Sequence, residues 1–278
     1  MSSAEGFASD LAAPKVVLDP WYYAAHLFGA GAVPWADDAQ FIAFARKANA
    51  LLKPDRLVVP LVDWAKAVIG AMPELAKRAA ERSRTPYPLK TFLGEPALKA
   101  RLSEFGQAIV GVLPASSVSF HLGVSDDWLN LAYQAAHARA PDAIDEDVRE
   151  QAGAILAGFL PALAGLQFDG LLLGAEDAVA DRAFFESQTP ILNLSSHYRW
   201  SVGLVCKALD ASLRPGIDWV AQPSGDAGSS GLVIAASAWA DLEPLTEARL
   251  YFARIPSNAN PEMVLARLAR IKDRGKQS

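Results

Sequence analysis

Residues 168–174 read Phe-Asp-Gly-Leu-Leu-Leu-Gly, and this stretch decides the fold. Successive side chains of a strand point to opposite faces, so three consecutive leucines leave neither face for water. A strand that is apolar on both faces belongs to a parallel sheet covered by helices. The same texture recurs outward in both directions. It is found in LVVPLV (57–62), SVSFHL (117–122), PILNLS (190–195), IDWVAQ (217–222), LVIAAS (232–237) and ARLYFARI (248–255). With the Tyr87–Phe92 run, the chain holds eight or nine strand candidates. Helical patterns separate them. Residues 37–52 open with two acids and end before Pro54, and 63–82 are interrupted by Pro73. Residues 95–112 carry Pro96 in their first turn. Residues 126–139 follow the capping cluster Ser125-Asp126-Asp127, and 145–165 open with Asp145, Glu146 and Asp147. Further helices are expected near 179–187, at 199–211 and at 261–273. About eight such units in ~250 residues predict an α/β fold of the (β/α)8 TIM-barrel type. A doubly wound open sheet is the alternative. No G-x-G-x-x-G or G-x-x-x-x-G-K-S/T follows a strand to support nucleotide binding on it.

Composition bounds the function. Of 278 residues, 51% are hydrophobic and 21% charged, enough apolar material for a core and too little charge for a disordered chain. There are 26 basic and 31 acidic side chains, net charge −5, with no basic cluster, which argues against nucleic acid as a partner. The single cysteine, Cys206, excludes an internal disulfide and an all-thiolate metal site within one chain. It reads as a packing residue on a helix rather than a nucleophile. No apolar run approaches the ~18 residues of a membrane span, and the start of the chain lacks the basic and apolar regions of a signal peptide. The expectation is a cytoplasmic protein without a membrane partner, possible as a homodimer. Residues 1–14 are expected to fray, and 15–278 to form a single barrel domain.

Several segments, in order, resemble the superfamily of uroporphyrinogen decarboxylase, corrinoid-protein methyltransferases and cobalamin-independent methionine synthase. LVVPLVDWAKAVIG (57–70) resembles that family's early strand ending in Asp. SVSFHLGVSDDWLNLAY (117–133) resembles the strand that runs into its G-P-x-T-L-A helix, here without the Gly-Pro. FDGLLLGAED (168–177) resembles the strand ending in an acid, and PILNLSSHY (190–198) the strand that carries H-x-C-G in the methyltransferases. LYFARIPSNANPEMVLA (250–266) resembles the closing strand, loop and helix. The resemblance implies the barrel and assigns Asp63 to substrate binding. Asn193 and Ser195 stand where zinc-dependent members carry H-x-C, and amide and hydroxyl groups are poor zinc ligands, so no metal is expected. The decarboxylases' N-terminal arginine loop is also missing, since no arginine precedes Arg46 and Asp19-Pro20-Trp21-Tyr22-Tyr23 occupies that part of the chain.

In such a barrel the site lies at the C-terminal ends of the strands. That rule selects Asp63, His121 with Ser125-Asp126-Asp127, Glu176-Asp177, Asn193 with Ser195-His197-Tyr198, Gln222 and Arg254. Glu176, Asp63, His197 and Tyr198 are the candidate catalytic residues. A carboxyl at the mouth of an apolar barrel has its pKa raised by desolvation, which suits acid–base work. His197 and Tyr198 are candidates for moving a proton or donating to an oxyanion. Each of these residues also has a structural reading, as a helix cap or a loop hydrogen bond. Asn193, His121, Asp126, Trp128, Gln222, Arg254, Trp21 and Tyr22 are candidate substrate-binding residues. His121 reads equally as a satisfied structural histidine, and Asp126 as a cap. Trp21, Tyr22 and Tyr23, with His26 and Trp35, form either a platform over a flat substrate or a plug against the barrel. The loop SGDAGSSG (224–231) offers backbone amides to a phosphate but reads more simply as a turn. The function expected from these residues is a metal-independent lyase of decarboxylase type on a small aromatic or conjugated carboxylate, with no cofactor. A tetrahydrofolate- or corrinoid-linked methyltransferase without zinc and a non-catalytic barrel subunit are the alternatives.

Overall fold

A computed structural model describes residues 14–113, 118–210, 212–213, 216–224, 230–242 and 244–274. Eight parallel strands close into a barrel: β1 Lys15–Asp19, β2 Arg56–Pro60, β3 Val118–Gly123, β4 Gly170–Gly174, β5 Ser201–Val205, β6 Trp219–Gln222, β7 Gly231–Val233 and β8 Leu250–Arg254. Each strand pairs with its neighbours in sequence, and β1 pairs with β8 from Lys15↔Leu250 to Asp19↔Arg254. Almost every strand residue is buried, as apolarity on both faces requires.

The helices follow their strands. After β1 come α1 Trp21–Leu27 and α2 Asp38–Leu52. After β2 come α3 Leu61–Gly70, α4 Pro73–Ala79, α5 Pro86–Gly94 and α6 Pro96–Val112. After β3 come α7 Ser125–His137 and α8 Glu146–Phe159, after β4 α9 Arg182–Tyr198, and after β8 α10 Pro261–Arg274. Asp37, Asp145 and Asp181 cap α2, α8 and α9, each accepting a backbone N–H three residues on at 2.9 Å, which satisfies donors the first turn leaves open. Among the described residues no α-helix lies between β5 and β8; a 3-10 turn, Ala236–Trp239, follows β7 instead.

Three apolar clusters result, one of which packs Val264, Leu268 and Ile271 of α10 against Val16, Leu18, Tyr251 and Ala253. Val17, Val58, Leu172, Val205, Trp219, Ala221, Val233, Leu250 and Phe252 fill the barrel interior. A larger cluster, including Trp21, Trp64, Phe105, Phe120 and Trp128, packs the helices onto the outside. At the N-terminal end, Arg56 is buried against Asp169, and the cost of burying its charge pulls its pKa down to about 9.

Six of the expected strands are present, with ends shifted by a few residues. The other two are helical. Tyr87–Phe92 lies in α5, and 190–195 lies inside α9 with Pro190 in its interior. The helix is specified by a window longer than PILNLS: Phe185, Gln188, Ile191, Leu192 and Ser195 are buried at helical spacing along one face. The expected helix 179–187 begins only at Arg182, and the described part of the expected helix 199–211 holds β5 and a short extended piece, Ala208–Leu209. The strands that replace the two false ones, β1 and β5, are both short and fully apolar inside. Most of the 224–231 loop lies outside the described residues.

Candidate active site

The C-terminal ends of β2, β3 and β8 and residues of α1, α3 and α7 surround a cavity of about 390 Å3. Tyr22, Asp63, Lys66, His121, Asp127 and Arg254, with the amides Asn130 and Gln134, supply its polar lining.

Arg254 is the last residue of β8. Its Nε donates to Asp19 Oδ2 at 3.0 Å, across the seam between the first and last strands. The Asp19 carboxyl is almost fully buried, and its Oδ1 has no hydrogen-bond partner among the described residues. Burial raises its pKa, Arg254 lowers it, and the neighbouring Asp63 charge raises it again, with a net upward shift. The Arg254 side chain is half exposed, and Nε is its only nitrogen with a hydrogen bond among the described residues. Its terminal nitrogens are therefore donors at the mouth.

His121 points from β3 into the same space. Its Nε2 lies 2.9 Å from the Gly174 carbonyl at the end of β4. A carbonyl only accepts, so Nε2 carries the hydrogen and Nδ1 is the basic nitrogen. Burial, aided by the Arg254 charge, pulls the imidazole down to about 4 and keeps it neutral at pH 7, although the bond to Gly174 works the other way. Gly174 adopts φ +83°, and a Cβ there would sit 2.1 Å from the Val205 carbonyl. Glycine is thus required to present this acceptor. The β3–β4 register slips between His121 and Gly123, an irregularity of the kind that re-aims a side chain.

Three further acids complete the mouth. Asp127, in the first turn of α7, accepts from Val124 N at 3.4 Å; burial raises its pKa, and Asp126 and Asp177 add to the rise. Glu176, on the loop after β4, has its carboxyl raised by burial and by Asp177, while Arg254 lowers it. The Asp63 carboxylate lies near the Tyr22 hydroxyl and, with burial, raises its pKa. Two carboxyls raised by burial, Asp127 and Glu176, thus stand here with the cations Arg254 and Lys66.

The sequence-selected residues divide sharply. His121, Arg254, Asp63 and Tyr22 line the cavity, and Glu176 lies close enough for its charge to act on Arg254. Asp63 arrives from the first turn of α3, because β2 ends at Pro60 rather than at residue 62. Asn193, His197 and Tyr198 are not at a strand end. Asn193 is exposed midway along α9. His197 and Tyr198 end that helix at the opposite face of the barrel, where Tyr198 stacks on Trp200 at 4.8 Å and Trp200 packs on Phe168, which precedes β4. The expectation that Glu176, Asp63 and Asn193 line one cavity therefore fails at Asn193. Trp21 is buried in a stack with Trp35 and Phe41, its indole N–H donating to the Val58 carbonyl, and Trp128 donates to the Leu122 carbonyl at 2.6 Å. Both are core residues. Asp126 forms a two-pronged pair with Arg149 of α8 at 2.7 and 2.9 Å. Gln222 is buried at the end of β6, outside this lining. Cys206 follows β5 rather than lying on a helix, and burial raises its thiol to about 11.

Sequence reasoning missed the role of Asp19 and the place of Lys66. The signal for Asp19 was present, since Lys-Val-Val-Leu-Asp (15–19) is another apolar run ending in an acid. Among the described residues no three His, Cys, Asp or Glu side chains are grouped to hold a metal ion, and no helix is long and apolar enough to cross a membrane. Comparison with protein-family models, with curated proteins and with solved structures finds no match for this chain.

Proposed function

We propose that this chain is an acid–base enzyme of the decarboxylase type, a lyase acting on a small conjugated organic acid. We place it with the barrel superfamily that its sequence resembles, that of uroporphyrinogen decarboxylase and cobalamin-independent methionine synthase. The observation that carries the reading is Arg254: a guanidinium held through Nε by a buried carboxylate, its terminal nitrogens without a hydrogen bond among the described residues, in a cavity also lined by Asp63, Lys66, His121 and Asp127. A planar fork of this kind matches a carboxylate.

An arginine on the departing carboxylate would stabilise the ground state, because the ion pair is lost as neutral CO2 leaves. Arg254 therefore holds an anionic oxygen that stays on the substrate, a second carboxylate or an enolate. Cleavage of the C–C bond releases CO2 and leaves its electron pair in the conjugated framework. Glu176, whose carboxyl is raised by burial and by Asp177 against the lowering effect of Arg254, delivers the proton to that carbon in its acid form. His121, neutral and fixed through Nε2, offers Nδ1 as an acceptor that orients the substrate.

The test is calorimetric titration of aromatic dicarboxylic acids into the wild type and Arg254→Gln, followed by CO2 release from those that bind. Loss of at least tenfold in affinity in the variant is expected, since charge-assisted hydrogen bonds are among the strong ones. Equal affinity in both proteins would remove the carboxylate site.

A further inference from the structure

A second cavity, about 980 Å3, opens beside the mouth between α1, the 28–36 loop and α3. It shares Tyr22, Asp63 and Lys66 with the first, so the two spaces meet at a collar of those three side chains. Beyond the collar the walls change character to Ala25, Val33, Trp35, Ala67 and Gly70. The surface is mostly small and apolar, with His26 and Ser257 as its polar members, and part of it is rigid, because the Trp35 ring stacks on Phe41 at 4.8 Å and meets Trp21 edge-on at 5.7 Å. Within the collar the Asp63 carboxylate lies near the Tyr22 hydroxyl and acts on it electrostatically. A Cβ placed on Gly70 meets nothing within 4 Å, so the far wall faces open space.

We infer that the substrate is amphipathic: its acidic head occupies the mouth, and an apolar tail passes the Tyr22–Asp63–Lys66 collar into the groove. This rests on the acid-binding reading of the mouth. The head cavity alone holds a compound of one ring, whereas the combined space fits a molecule of ordinary ligand size or larger. A pre-formed wall binds a tail without first ordering side chains, which keeps the gain from apolar burial.

Benzoate, 4-pentylbenzoate and the uncharged 4-pentylbenzamide are titrated into the wild type, Gly70→Phe and Arg254→Gln. Each buried methylene tightens binding by about three- to fourfold. The pentyl tail is therefore expected to strengthen binding of the acid at least tenfold in the wild type. Gly70→Phe fills the groove from a helical position free of backbone strain; it is expected to abolish that gain and leave benzoate unchanged. Ala67→Leu, on the same wall, is expected to cut the gain in part and covers the case in which the larger residue disturbs α3, read by circular dichroism. Absence of a tail gain in the wild type, or an undiminished gain in both filled variants, overturns the groove. Equal binding of both acids to wild type and Arg254→Gln, with the tail gain intact in acid and amide, overturns the carboxylate site and leaves the groove standing. Failure of all three compounds to bind overturns both.

Discussion

Asp19 and Arg254 stand opposite each other in register at the seam of the barrel, 235 positions apart in sequence, with Arg254 Nε donating to Asp19 Oδ2 at 3.0 Å. The same pairing that closes the sheet thus sets the guanidinium at the mouth. One oxygen of the carboxylate holds it, and the other is buried without a hydrogen-bond partner among the described residues. An arginine oriented through Nε keeps both terminal nitrogens for a ligand. The arrangement also puts a poorly solvated carboxyl beneath the site, with consequences for pH dependence.

Asp19 has a folded-state pKa above its ordinary 3.8, chiefly through burial. A carboxyl raised in this way favours folding at low pH, and the contribution is lost as pH rises through the folded value. Asp19→Asn keeps an oxygen for Arg254 Nε and removes the charge. Its urea midpoint is expected to equal or exceed that of the wild type at pH 7, with the difference shrinking toward pH 4. A wild type that gains on the variant as pH rises would contradict the assignment.

Glu176→Gln preserves shape and removes the transferable proton. General acid catalysis contributes roughly 100- to 10,000-fold, so kcat is expected to fall by that order with an unchanged circular dichroism spectrum. Because Glu176 acts when protonated and its carboxyl is raised by burial and Asp177, wild-type activity falls as pH rises above that carboxyl's value. The variant lacks this limb. Wild-type kinetics in the variant would take Glu176 out of the mechanism.

His121 is expected to remain neutral, with hydrogen on Nε2, from pH 8 down to about pH 5, because burial pulls it to about 4. Nitrogen chemical shifts of the ring report the tautomer and the midpoint directly. A histidine depressed in the fold contributes stability above the ordinary 6.5 that is lost as pH falls toward 4, on the order of 3 kcal/mol in full. His121→Gln, which can still donate to Gly174, should flatten stability between pH 6.5 and 4. Titration of His121 near 6.5 would sink the assignment.

Gly203 faces the barrel interior, where a Cβ would lie 2.1 Å from the Trp219 ring. Gly203→Ala forces the indole or the strand to shift. Overpacking of this kind costs about 1–3 kcal/mol, occasionally more. The measurement is the shift of the urea midpoint, and an unchanged midpoint would mean that Trp219 moves freely.

How much of the molecule was legible depends on the range over which each signal acts. FDGLLLG and SVSFHL read as strands because a run apolar on both faces has few other uses in a short segment. The helix starts at Asp145 and Pro96 read correctly because a helix start is written in adjacent residues. PILNLS did not, because a buried helix face and a buried strand look alike over six residues. Only the upstream Phe185 and Gln188 and the packing of α9 decide between them. SVGLV was masked by Gly203, a poor strand former whose reason for being there is the Trp219 ring on the next strand.

The candidate site divides on the same line. The rule that barrel chemistry sits at strand ends, applied to the sequence by itself, reached Asp63, His121, Glu176 and Arg254. It also led to Asn193, His197 and Tyr198, since it carried over the error in the strand at 190–195. The sequence thus determined a parallel α/β barrel and the apolar strands whose ends carry these groups, because burial on both faces is a local property of side chains. Only the tertiary structure decided which ends meet. It brought Asp19 to Arg254 across the closing seam, His121 to the Gly174 carbonyl, and Tyr22 and Asp63 into the lining of both cavities. These are contacts between distant segments whose geometry is set by closure of the sheet and by no residue's neighbours in the chain.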